Sequence, residues 1–346
     1  MFVGHALLAF ALVVLFTDWR NWPTRRAVTL GLVAGAFAAL PDIDVAYALV
    51  AVDGERLLGS VDPTAFWDAT RDVHRSMTHS LVVALATGPA FGFLTARGTG
   101  KHARSAQALA AVVLCAIVGG ALVTSGPFGG IVMGVFALVG AGLATLIRRR
   151  TELSPRIVAL AATVGLVTHP WGDLTTGRPP LLTYPFESGL VGERVVLHGD
   201  PTIHLLGAFA LELAVVWLAV LAVARATDRS LWRLSDRSAA VGTVYGVLAI
   251  VMAPPTLSVS YHFVFSLLSV GALCGVLSWR RSPPSLAWTR FTFASLSWGR
   301  PEPVSSSRRY PDERTVQAGL AFVVTALTAI TVALVGYAAV YVLLGA

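Results

Sequence analysis

Residues 105–147 read SAQALAAVVLCAIVGGALVTSGPFGGIVMGVFALVGAGLATLI, without one charged side chain, between Arg104 and the run Arg148, Arg149, Arg150. At about 1.5 Å per residue, a helix of that length is roughly twice what ~30 Å of hydrocarbon requires. The stretch therefore predicts two membrane-spanning helices, near 105–124 and 127–147, joined by a short neutral connection from Thr124 to Phe128. Working outward, comparable apolar runs recur near 1–17, 27–48, 79–96, 156–174, 203–224, 238–254, 258–278 and 316–344. The expected fold class is all-α, a polytopic transmembrane helix bundle of about ten spans. Composition agrees, because only 13% of the 346 residues are charged and 55% are hydrophobic, whereas a soluble domain carries about a quarter charged residues to cover its surface. The first run lacks a basic leader and a small-residue cleavage site, so it is read as a mature span rather than a signal peptide. Cys115 and Cys274 lie inside apolar runs without metal-type spacing and read as small core residues.

The positive charges alternate along the chain. Arg20, Arg25 and Arg26 follow the first span; Arg97, Lys101 and Arg104 the third; Arg148, Arg149, Arg150 and Arg156 the fifth; Arg225, Arg229, Arg233 and Arg237 the seventh; Arg280 opens a basic loop after the ninth. The connections between are short and neutral, or mixed to acidic, as in the segment holding Asp53, Glu55, Asp62, Asp68 and Asp72. The positive-inside rule then puts both termini outside, in a multi-pass protein of the plasma or inner membrane. The net charge of +7 is explained by cytoplasmic loops, so no nucleic-acid partner is expected. Residues near 280–315, rich in Pro, Ser and Arg with interspersed aromatics, are expected to lie along lipid headgroups. The organisation read from these features is a membrane-embedded core over residues 1–200 and additional transmembrane helices over 201–346.

In so apolar a chain, ionisable residues are the informative ones, since an Asp at mid-bilayer costs about 2.5–3.5 kcal/mol. Four clusters qualify: His5; Asp42 and Asp44 in Pro41-Asp42-Ile43-Asp44; His74-Arg75 with Thr78-His79-Ser80; and His169 with Asp173. Counted from the cytoplasmic end of each span, His5, Asp42, His169 and His79 lie about 18, 22, 20 and 26 Å up. Four helices thus place polar groups at one depth in the outer half of the bilayer, and one site is expected. Pro41 and Pro170 each interrupt a helix there, which is tolerated where backbone lines protein or a cavity. Asp42 and Asp44 would diverge on a regular helix, and a break at Pro41 lets both face one centre. Pro170 disfavours helix at His169, while four-residue spacing favours a shared face with Asp173. Thr78 or Ser76 is the expected N-cap of the third span.

Imidazoles and carboxylates without a thiolate suit a divalent metal such as Zn, Mn or Fe. Seven candidate ligands (His5, Asp42, Asp44, His74, His79, His169 and Asp173) suit a two-ion centre, or one ion with carboxylates orienting its histidines. Arg75 is a candidate partner for a substrate phosphate or carboxylate. His262 and His204 read as packing residues, and His102 and His198 as loop residues without a role.

At these residues the chain resembles a known family, the membrane-bound metal-dependent hydrolases, also described as LexA-binding inner-membrane hydrolase-like proteins. The resemblance rests on Gly4-His5, Pro41-Asp42-Ile43-Asp44, His74-Arg75 with Thr78-His79-Ser80, His169 to Asp173 followed by Gly177, and Tyr184-Pro185-Phe186, and it covers about residues 1–190. Pro170 and Trp171 depart from the small or aliphatic residues usual there. The resemblance implies metal-dependent hydrolysis. The expected mechanism uses Asp42 or Asp44 as general base on an amphipathic, phosphate-containing or lipid-like substrate, with membrane lipid as the surrounding partner. Two other classes use similar residues. A transporter or proton/metal conduit would need a polar series continuing to the cytoplasmic ends of these spans, which the sequence lacks; a scaffold with a structural metal would need only about four ligands.

Overall fold

The computed structural model describes residues 2–47, 75–186, 191–257, 260–281 and 313–344. His74, the acidic segment with Asp53 to Asp72, and most of the basic 280–315 loop lie outside the described residues. The chain forms two compact units, Met1–Val195 and Val196–Ala346.

The first unit contains α1 (Phe2–Trp19), α2 (Thr24–Ala38), α3 (Leu81–Leu94), α4 (Lys101–Arg150) and α5 (Pro155–Thr168), with 3-10 turns at Pro41–Tyr47, Met77–His79 and His169–Asp173. α4 is not one straight rod. Gly126 adopts φ 70°, ψ −170°, ahead of Pro127, and a methyl group added at Gly130 would lie 3.2 Å from the Leu122 side chain. In a continuous helix residues eight apart stand about 12 Å apart along the axis, so the chain folds back at Gly126. Small residues allow close helix crossings. On α2, Gly35 lies against the Ala6 carbonyl of α1, and on α5, Gly165 lies against the Ala34 carbonyl of α2. Phe37, Phe91, Met133 and Phe136 fill the centre, with Phe37 and Phe91 stacked at 5.4 Å.

These packings set one polarity for the unit. The start of α1, the residues after α2, those before α3 and those after α5 share one end. The other end carries Arg20, Arg25, Arg26, Arg97 and Arg148–Arg150. There the Arg97 guanidinium donates to the carbonyl of Arg148 (2.7 Å), one that the end of α4 leaves without a donor, and to those of Leu153 (3.1 Å) and Thr151 just beyond it.

The second unit contains α6 (Pro201–Ala226), α7 (Val244–Val251), α8 (Tyr261–Arg281) and α9 (Glu313–Leu343), with 3-10 turns at Leu231–Arg233 and Arg237–Thr243. α9 packs against the other three, around Tyr245, Phe263, Leu267 and Tyr337. Trp217 Nε1 donates to Thr331 Oγ1 at 2.9 Å across α6 and α9.

Among the described residues, five helices are long and apolar enough to cross a membrane: Thr24–Val45 (α2 with the following turn), Lys101–Arg150, Pro201–Ala226, Tyr261–Arg281 and Val316–Leu343. The all-α membrane bundle stands, but the count is lower than the sequence's ten. α4 is one element despite its fold-back, and Val3–Trp19, Leu81–Leu94 and Arg237–Val251 are apolar but shorter. α3 starts at Leu81 and α5 stops at Thr168 because the polar residues beyond them leave the helix to form turns.

Candidate metal centre

Each cluster reaches the common end by a local break. α2 stops at Ala38, and the turn from Pro41 presents Asp42 and Asp44. The turn Met77–His79 precedes α3, whose N-cap is Ser80, not Thr78 or Ser76. Ser80 Oγ accepts from the backbone N–H of Val82 (3.1 Å) and Val83 (3.4 Å) and donates to the Tyr184 carbonyl (2.7 Å). Thr78 is therefore free for another task. At the end of α5, His169 keeps helical angles (φ −58°, ψ −55°) despite the following Pro170. Its Nδ1 lies 2.6 Å from the Ala38 carbonyl, a bond that compensates the disfavoured conformation.

Of the seven candidate ligands, six are described, and all six lie together. His5 Nε2 is 3.5 Å from Asp173 Oδ1. His79 Nε2 is 3.3 Å from Asp173 Oδ2 and 3.8 Å from Asp42 Oδ1, and His169 Nε2 is 3.6 Å from the same Asp42 oxygen. The rings of His5 and His79 lie 4.1 and 4.5 Å from that of His169. His5, His79, His169, Asp44 and Asp173 are buried, and Asp42 nearly so. Two overlapping groups could hold a metal ion: His5, His169 and Asp173; and Asp42, His79 and His169, with the ligand atoms of each group within 4.8 Å of one another.

Asp44 stands apart from those groups, on the far side of His79. Its Oδ2 accepts from the Thr78 hydroxyl (2.7 Å) and the Arg75 backbone N–H (3.3 Å), and lies 3.5 Å from His79 Nδ1. Arg75, at φ 68°, points its guanidinium at Asp173 Oδ1 (2.9 Å) and at the carbonyls of Asp173 (3.2 Å), Arg178 (3.0 Å) and Thr176. Its Nη2 also donates to Thr176 Oγ1 at 3.1 Å. A substrate phosphate would reach the Nη atoms of Arg75 only by displacing these bonds. The residues that sequence reasoning passed over are thus Thr78 as more than a cap, Thr176 as an Arg75 partner, and the carbonyl of Ala38. The first two carried a polar side chain as signal; a backbone carbonyl carries none.

The donor set fits a divalent cation. Donors around one ion at about 2.0–2.2 Å stand about 3–4.2 Å from each other, and the four carboxylate–imidazole separations of 3.3–3.8 Å fall in that window. They are long for hydrogen bonds. Asp42 Oδ2, His169 Nε2 and Asp173 Oδ2 are buried without a hydrogen-bond partner among the described residues, an arrangement that costs about 1–3 kcal/mol per group unless something satisfies it. Counted as ionised, Asp42, Asp44 and Asp173 outnumber Arg75 by two charges, which a divalent ion cancels.

Elsewhere the histidines do other work. His204 is buried, and its Nδ1 accepts the Leu197 N–H at 3.1 Å; His198 Nδ1 accepts the Asp200 N–H at 3.0 Å; His102 and His262 are exposed. Among the described residues, the groups suited to a metal all belong to the first unit.

Residues 1–129 match the model of a family described as YdjM inner membrane protein. With its apolar helices, that decides the location. This is a multi-pass protein of the inner membrane. The match includes His5, Asp42, Asp44, Arg75 and His79 and ends before His169 and Asp173. Its description names a membrane and no reaction, so it supports neither hydrolysis nor LexA binding. Comparisons with curated proteins and with solved structures found no match.

Proposed function

We propose that this inner-membrane protein is a metal-dependent hydrolase whose centre lies at the outer end of a ten-crossing bundle with both termini outside. The observation that carries the reading is the convergence, from four segments of the chain, of buried imidazoles and carboxylates, with Asp42 Oδ2, His169 Nε2 and Asp173 Oδ2 lacking a hydrogen-bond partner among the described residues. The ten crossings are α1, α2, α3, the two arms of α4, α5, α6, the Arg237–Val251 segment, α8 and α9; the fold-back at Gly126 and the arginines at alternate connections support them.

The ligands are His5, Asp42, His79, His169 and Asp173. His169 can serve only through Nε2, because a carbonyl accepts only and Nδ1–H must donate to Ala38. Both ligand groups share that one nitrogen, which favours a single ion, Zn, Mn or Fe by donor type. Bound there, the ion supplies positive charge that polarises the scissile bond and acidifies water. Asp42 takes the proton that the attacking water loses, at Oδ2, which no described donor occupies. Asp44 is already held by Thr78 and Arg75, and Arg75 fixes Asp173 rather than the substrate. The substrate is amphipathic, with a phosphoester or ester near the outer headgroups. Trp171, Leu181 and Phe186, between 50% and 65% exposed on the segments beside the centre, favour an apolar approach.

The test uses purified protein in detergent. Elemental analysis is expected to find about one equivalent of metal, lowered in His79→Ala and Asp173→Ala and unchanged in His262→Ala. Hydrolysis of a lipid phosphate should stop on chelation and fall about 10²–10⁴-fold in Asp42→Asn, which keeps a donor oxygen but accepts no proton on its amide nitrogen. Equal metal in all three alanine variants overturns the site. Metal without turnover on phosphoester or ester lipids would leave a metal-stabilised scaffold, or a transporter or proton/metal conduit, in place of the enzyme.

A further inference from the structure

Resting on that metal-centre reading, we propose that Thr78 is a positioning residue that sets the tautomer of His79, so that its Nε2 lone pair faces the centre. Thr78 Oγ1 has one hydrogen and two neighbours within reach: Asp44 Oδ2 at 2.7 Å and His79 Nδ1 at 3.0 Å. An ionised carboxylate only accepts, and the charge-assisted bond is the shorter and stronger, so the hydroxyl hydrogen goes to Asp44. The hydroxyl lone pair is then left for Nδ1, which must be the protonated nitrogen. Nε2, 3.3 Å from Asp173 Oδ2 and 3.8 Å from Asp42 Oδ1, carries the lone pair. His169 obeys the same logic with a different device, since the Ala38 carbonyl holds its Nδ1–H at 2.6 Å. The two rings thus arrive with the same nitrogen ready. At His79 the orientation depends on a side chain that touches neither the ion nor the substrate. The direct separation of His79 Nδ1 from Asp44 Oδ2 is 3.5 Å, longer than either leg through the hydroxyl.

The experiment titrates Zn²⁺ and Mn²⁺ into metal-free full-length protein. Thr78→Val keeps the shape and removes the hydroxyl; Thr78→Ser keeps the hydroxyl. Outer partners of metal-bound histidines are worth about 10–100-fold in affinity. Thr78→Val should lose about that much affinity and Thr78→Ser should bind as the wild type does; metal-free Thr78→Val should melt lower, because Asp44 loses a charge-assisted bond. Asp44→Ala provides a second route, because the hydroxyl hydrogen then loses its carboxylate acceptor and can turn toward Nδ1, leaving Nε2 protonated; a similar loss is expected. Wild-type affinity in Thr78→Val overturns the inference, as does a loss that Thr78→Ser shares. Should Thr78→Val fail to fold, wild-type affinity in Asp44→Ala overturns it alone. If the wild type binds neither ion, the metal-centre reading fails first and this inference falls with it.

Discussion

At the residue scale, the polar clusters were legible and their division of labour was not. The cost of burying ionisable groups in an apolar chain marks His5, Asp42, Asp44, His79, His169 and Asp173 without any coordinates. What separates Asp42 from Asp44 is which nitrogen of His79 each faces, Nε2 or Nδ1, and no spacing rule encodes that. Arg75 shows the same limit. Its charge suggested a ligand for substrate anions, whereas its bonds run to Asp173 and to the Thr176–Arg178 turn. Gly177 belongs to this clamp: it has φ 64°, and a methyl group there would sit 2.8 Å from Arg75 Nη1. Gly177→Ala should cost about 1–2 kcal/mol from the left-handed backbone and also lower metal content by dislodging Arg75 from Asp173. Gly98→Ala is the control, since Gly98 has φ 92° with nothing within 4 Å of the added carbon. It should lower the melting temperature but leave the metal in place. Matching metal content in the two variants would remove the clamp from the account of the site.

At the scale of elements, apolar run length located the helices well and their ends less well. The expected third span began at His79, but α3 begins at Leu81 because Ser80 turns the chain and caps it. Thr78, equally suited as a cap by residue type, is drawn off by Asp44; the competition is tertiary and invisible to local pattern. Ser80→Ala should destabilise the protein by about 0.5–2 kcal/mol through the lost cap, with Ser80→Thr restoring most of it, as thermal unfolding in detergent would measure. An unchanged melting temperature in Ser80→Ala would mean that water or the neighbouring 182–184 segment serves the two N–H groups equally well. The fold-back within residues 105–147 was also legible, because an uncharged run twice the membrane's thickness must turn, although only the structure assigns the turn to Gly126.

At the scale of the molecule, the sequence's all-helical membrane character rests on burial energetics that need no coordinates, whereas the number of crossings depends on how short helices meet the bilayer. Helices of 14 or 18 residues, such as α3 and α1, extend about 21–27 Å, short of the roughly 30 Å of hydrocarbon, so length alone does not count them as crossings. The ten-crossing arrangement predicts that a periplasmic-active reporter fused after Ala346 is active, while one inserted at Thr99 is silent. A cytoplasmic location for the fusion after Ala346 would refute it.

The separation of the ligands along the chain has a consequence for how the protein is made. His5 leaves the ribosome first, and Asp173 follows roughly 170 residues later, which at about 5–20 residues per second is on the order of ten to thirty seconds. Throughout that interval the earlier imidazoles and carboxylates wait in a half-built bundle, and the proposed loading of an ion would have to follow insertion of α5 and the turn beyond it. Under the proposed metal reading, metal supply would act as a late checkpoint on biogenesis, and a cell starved of the ion would accumulate inserted but unlocked chains for its membrane proteases to clear.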